Sequence, residues 1–234
     1  VEVEHTAAMA AEWEDTAWEK QVFPLTDDSG LDDPVSPAWR RASRPVEILF
    51  GAQTLDRYRS RILVQMRSFD VHVDFGEGYR LTDEGVLIAQ GDQGGGYLLY
   101  VEDGHLHFCH NYGGRTRDFD VGALGPHLDR IDVAFVARPD GVCSVRITVE
   151  DEVREVPAQF DVFSGVTPFQ GIDVGIDRRS PVSRELRSQR GTFAYSGALR
   201  SVTIMPGERL SEMLQSPGSR VDEEHSRLAE RLDD

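Results

Sequence analysis

Three histidines fall within one short passage, His105-Leu106-His107-Phe108-Cys109-His110. Imidazole is a preferred ligand of zinc and copper, so the group raises a metal reading. The spacing weighs against it. On a strand, His105 and His107 share one face and Leu106 and Phe108 the other, so the two rings are expected to face solvent above a buried side. His110 lies just beyond, and the sequence specifies no third ligand or supporting carboxylate. The glycine run GDQGGGY (91–97) has the composition of a phosphate cradle. A phosphate loop hands its chain to a helix N-terminus, whereas this run enters GYLLYVE, a strand pattern, and is expected to be a turn.

Nucleophilic and acid–base chemistry find no better footing. Cys109 precedes His110 and Cys143 precedes Ser144, neither in a nucleophile signature, and GxSxG is absent. The paired-carboxylate pattern Glu-x-Asp-x-x-Glu, used by glycosidases built on curved sandwiches, does not occur. No catalytic, cofactor-binding or metal-ligating residue is therefore assigned. The two cysteines are too few for a disulfide framework; one bridge is open to them, and two reduced, packed thiols are expected. Tyr97, Tyr100, Tyr112 and Phe119 are candidates to line a sugar-binding face, the alternative being core or rim positions.

The elements that would position these residues follow a two-residue period from Val46 to about Ile204. Phe69, Val71, Val73 and Phe75 alternate with Asp70, His72 and Asp74, and Val145, Ile147 and Val149 alternate with Ser144, Arg146 and Thr148. Asp103-Gly104 and Pro139-Asp140-Gly141 separate strand patterns as hairpin turns. The fold class expected is mainly β: an antiparallel, concanavalin-like β-sandwich (jelly roll) over 46–206. Residues 1–45 read as a helix over 3–21, with Met9, Trp13 and Ala17 at four-residue steps and Trp18 alongside. Pro24 stops it, and an extended, proline-rich arm runs on to Pro45. Residues 207–234 read as a charged tail, with ERLSEMLQ a short helix and VDEEHSRLAERL a second one.

The formal net charge is −16 and Lys20 is the single lysine, a balance that excludes nucleic acid and anionic membrane as partners. It fits a bacterial or archaeal host that is salt-tolerant or rich in GC. No run approaches the roughly 18 apolar residues that span a bilayer. The acidic start does not look like a secretory signal, so a soluble protein is expected, cytoplasmic or exported by a signal not visible in this segment.

Three passages together resemble the C-terminal region of large bacterial arylsulfatases. GVLIAQGDQGGGYLLYVEDGHLHFCHNYGGRTRDF (85–119) is similar to that family's strand, glycine turn, strand and hairpin. DVGIDRRSPVS (173–183) and GTFAYSGALRSVTI (191–204) are similar to its closing strands, and EHTAAMAAEWEDTAWEKQVFPLTDD (4–28) to the helix that leaves the catalytic core. The resemblance implies the non-catalytic sandwich of a sulfate-ester hydrolase, packed on a catalytic domain that it stabilises or whose cleft it shapes. That domain would be the missing upstream part or a separate chain. The family's activity rests on formylglycine made within Cys/Ser-x-Pro-x-Arg and on a divalent metal, usually calcium. No position here fits that motif, so no cofactor is expected in this segment. The alternative reading is a free-standing, lectin-like carbohydrate-binding module.

Overall fold

A computed structural model describes residues 44–163 and 170–210, together with Met9, Glu12, Trp13, Asp15 and Thr16. In chain order the elements are β1 (Val46–Leu49), α1 (Arg57–Val64), β2 (Arg67–Phe75), β3 (Gly85–Asp92), β4 (Gly95–Glu102), β5 (His105–Tyr112) and β6 (Arg115–Ala123). There follow β7 (Arg130–Ala137), β8 (Val142–Val149), β9 (Glu152–Asp161), β10 (Ile172–Val174), α2 (Arg184–Arg190) and β11 (Leu199–Arg209). A six-stranded sheet runs β1-β11-β2-β7-β8-β9 and a five-stranded sheet β10-β3-β4-β5-β6, with every ladder antiparallel. This is the antiparallel β-sandwich that the alternating sequence predicts.

The alternation fixes which face each strand buries. In β2, Phe69, Val71, Val73 and Phe75 are buried and Asp70, His72 and Asp74 turn outward. The inner faces meet in an aromatic cluster. Phe135 of β7 stacks on Phe69 of β2 at 4.2 Å and meets Tyr97 of β4, from the other sheet, at 4.6 Å. The turns are those expected. Asp103 and Gly104 both take left-handed backbone (φ 50° and 76°), the conformation that matches the twist of a two-residue hairpin. The glycine run closes the β3–β4 hairpin around Gln93-Gly94, where Asp92 Oδ1 accepts the Gly94 N–H at 2.7 Å.

The five-stranded sheet is buried on its outer face as well. Val86, Ala89, Leu98, Tyr100 and Cys109 turn away from the sandwich core and are covered by Val182, Leu186 and Phe193 from the segment that carries α2. This second core explains why β3 and β4 read as continuous apolar runs rather than as an alternation. Ser183 caps α2, its hydroxyl accepting from Leu186 N–H at 3.2 Å.

Some expectations need adjusting. The 46–204 region, read as strands throughout, contains α1 and α2. Asp56 starts α1 by accepting from the N–H groups of Tyr58 and Arg59, and the helix buries Ser60, Leu63 and Val64. The last strand passes through Pro206 to Arg209, so Glu208 and Arg209 lie in β11 and helical backbone begins only at Leu210. Pro206 is tolerated because β1 pairs only with 201–204, leaving no neighbour among the described residues on that side to need its missing N–H. Of the N-terminal helix expected over 3–21, Met9, Glu12, Trp13, Asp15 and Thr16 are helical. Trp18, the arm over 24–43 and the tail over 211–234 lie outside the described residues. No described helix is long and apolar enough to cross a membrane.

Candidate functional site

The outer face of the five-stranded sheet narrows, beside α2, into a cleft of about 380 Å³. Strands set its floor by the two-residue period. Tyr100 and Glu102 come from β4, His107 from β5, and Thr116, Asp118 and Asp120 from β6, while Ser183, Glu185, Leu186 and Gln189 form the α2 wall. The β5–β6 hairpin pairs His107 with Asp120 and Cys109 with Asp118, which brings histidines and carboxylates onto one face as diagonal neighbours.

The polar groups are tied to one another. Tyr100 donates its phenolic O–H to Asp118 Oδ2 at 2.8 Å, and His107 stacks on the Tyr100 ring at 4.8 Å with its Nδ1 3.5 Å from Asp118 Oδ1. His105 Nδ1 lies 3.0 Å from Asp120. Glu102 approaches Arg190 at 3.6 Å, and Glu185 accepts from the Gln189 amide at 3.4 Å. The hydrogen bond to Asp118 raises the His107 pKa against the opposing cost of burial, and the bond from His105 holds the Asp120 carboxyl below its usual range.

The sequence-level candidates separate here. His105 and His107 share the outer face, as their spacing predicts, and each meets an aspartate that the sequence reading missed. Those aspartates follow from the Gly113-Gly114 turn, because placing Tyr112 opposite Arg115 sets His107 opposite Asp120. His110 turns inward, 5% exposed, with its ring 4.3 Å from Phe160. Among the described residues no three His, Cys, Asp or Glu side chains gather into a metal-binding group. Cys109 and Cys143 are both free and buried, their thiols pushed up to about 12 by burial. The four aromatic candidates do not form one platform. Tyr97 is core, Tyr100 belongs to the second core, Phe119 packs against the main core, and Tyr112 alone is open, at 64% exposure.

The cleft wall depends on a buried carboxyl. Asp177, 6% exposed, accepts from Val182 N–H at 2.9 Å, and Arg187 donates to the Asp177 carbonyl at 3.0 Å. Burial, aided by nearby Asp173, pushes the Asp177 carboxyl up to about 7. A folded pKa above the unfolded one (about 3.9) means its stabilising contribution is complete below about pH 4 and is lost as pH rises through 7. Asp177→Asn keeps the acceptor and removes the titration. The variant is expected to melt with wild type near pH 4 and above it at pH 8, by roughly 2–4 kcal/mol at 1.4 kcal/mol per pKa unit. Equal melting at both pH values would show that the carboxylate is not penalised in the fold.

No family model matches the chain, and no curated protein matches it. Solved structures do. The domains LG4-5 of mouse laminin α1 align at 13% identity and a TM-score of 0.38, over 73% of this chain and 41% of theirs. The CBM40 of the Ruminococcus gnavus IT-sialidase, bound to α2,3-sialyllactose, aligns at 15% identity and 0.40, over 75% and 97%. The binding domain of botulinum neurotoxin serotype D/C aligns at 10% identity and 0.38, over 73% and 39%. The chain thus spans less than half of the laminin and neurotoxin chains it matches.

Proposed function

We propose that this chain is a non-catalytic, carbohydrate-binding sandwich module whose outer cleft takes a neutral sugar. The observation that carries the reading is the cleft lining itself. Four carboxylates, a histidine, three hydroxyl side chains and an amide converge on about 380 Å³, close to the small end of ligand pockets. Carboxylate, amide and hydroxyl groups accept and donate to vicinal sugar hydroxyls. The lining holds no Arg or Lys, so it disfavours sulfated and carboxylated sugars. The carboxylates are each committed to a tyrosine, histidine, arginine or amide partner. That fits holding a ligand, and Asp120, kept ionised by His105, is the opposite of a general acid.

Calorimetry across a panel of neutral, sulfated and carboxylated oligosaccharides tests this. A neutral member should bind saturably at this cleft. His107→Ala and Asp118→Asn should each weaken it about 10- to 100-fold, the scale of one lost hydrogen bond to a charged group. No heat from any neutral sugar would reject the reading.

A second reading, the accessory portion of an arylsulfatase-type hydrolase, is supported by the sequence resemblance and by Met9 and Trp13. Both are 58% exposed on helical backbone, the kind of surface a catalytic domain would cover. Its test is the coding sequence upstream of Val1. A sulfatase frame ending shortly before that residue supports it, and unrelated sequence carrying its own start signal removes it.

A further inference from the structure

The far end of the sandwich, where the outermost strands β6 and β9 face each other, opens into a second cavity of about 330 Å³ with a different chemistry. Its walls are Tyr112, Arg115 and Arg117 from the β5–β6 hairpin and Phe160 with Gln159 from β9. The guanidinium of Arg117 lies within cation–π reach of the rings of Phe119 and Phe160, at 5.2 and 5.8 Å. Neither Arg115 nor Arg117 has an ion-pair or hydrogen-bond partner among the described residues, in a chain whose formal net charge is −16. Asp161 is the one carboxylate in the lining and pairs with neither. Arg130, by contrast, closes on Asp74 at 2.7 Å.

We propose that this mouth is a second binding site, separate from the outer cleft, for a saccharide that carries an oxyanion beside an apolar ring face. Two guanidinium forks present planar donors of the geometry that carboxylate and sulfate groups accept. The open ring of Tyr112 and the edge of Phe160 offer the apolar surface on which a sugar's C–H face rests. The buried His110 ring is the sensor at the back of the cavity. Burial and the charge of Arg117 hold its pKa down to about 4, so it stays neutral and adds no charge of its own. An oxyanion seated against Arg117 offsets that charge and raises the His110 pKa.

Titration of the whole chain with methyl glucuronide, glucosamine N-sulfate and the neutral methyl glucoside tests the site, with His110 ring resonances as the local readout. An anionic sugar is expected to bind at least 10-fold tighter than methyl glucoside, to shift the His110 signals, and to weaken at raised salt. Arg117→Gln and Arg115→Gln, both on exposed side chains and checked by melting, should each cost about 10-fold. Preference for the glucuronide assigns a carboxylate ligand, and preference for the N-sulfate a sulfated one. Equal binding of anionic and neutral sugars, or affinity unchanged in both variants, overturns the proposal. His107→Ala leaves this site intact, so failure here and failure of the outer cleft are separable.

Discussion

Replacing Gly96 with alanine is expected to destabilise the protein by about 4 kcal/mol, lowering its melting temperature by roughly 8–16 °C. Gly96 sits in β4 with φ +135°, and a β-carbon there would stand 1.9 Å from the carbonyl oxygen of Gln90. That oxygen belongs to the backbone of β3, so no rotamer relieves the overlap; the two strands must part. They cannot part cheaply, since both are packed on both faces. Gly113→Ala is the control. Gly113 also has positive φ, +59°, but nothing lies within 4 Å of the added carbon, so only the backbone cost of about 1–2 kcal/mol remains. If the two variants melt alike, the close approach between β3 and β4 is not what Gly96 serves.

Phe135→Ala should cost about 3–5 kcal/mol, the range for emptying a buried aromatic site. The ring is 2% exposed, stacks on Phe69 within its own sheet and touches Tyr97 across the sandwich. Its removal therefore loosens both the sheet and the contact between sheets. Phe135→Leu, which retains most of the volume, should lose less than half as much. Chemical denaturation distinguishes the outcomes: the midpoint should fall with little change in slope, because the unfolded surface is almost the same. A loss below about 1 kcal/mol would mean that neighbouring rings close the gap.

The strands that were legible in the sequence are those with one wet face. β2 and β8 alternate because the outer side of the six-stranded sheet meets solvent, and the turns at Asp103-Gly104 and Asp140-Gly141 announce themselves by residues suited to positive φ. β3 and β4 lose that alternation under the second core, whose cover arrives from residues some ninety positions later, beyond the reach of any local pattern. The helices were hidden for a different reason. α2 carries one buried apolar side chain, Leu186, so it has no periodic stripe; its local signs are the caps at Ser183 and Gly191 and the Glu185 and Arg190 charges at its ends. α1 is similarly rich in arginine, and only Leu63 and Val64 among its apolar residues are buried. At the site, the outward pairing of His105 and His107 was readable from spacing alone. Their aspartate partners required the register of the next hairpin. The split of the four aromatics between two cores required knowing that a second core exists.

The outermost strands have a bearing on how the molecule behaves at high concentration. A sheet's last strand offers unpaired backbone groups on which another chain can template itself into aggregates. Among the described residues, two of the four end strands, β1 and β10, are only four and three residues long, too short to recruit a partner. The other two are longer but ill suited to it. β6 carries Arg115, Arg117, Asp118 and Asp120, and β9 carries Glu152, Arg154 and Glu155 with Pro157 interrupting its hydrogen-bonding row. The charges on the two longer end strands thus also oppose the zipping together of neighbouring molecules along these edges.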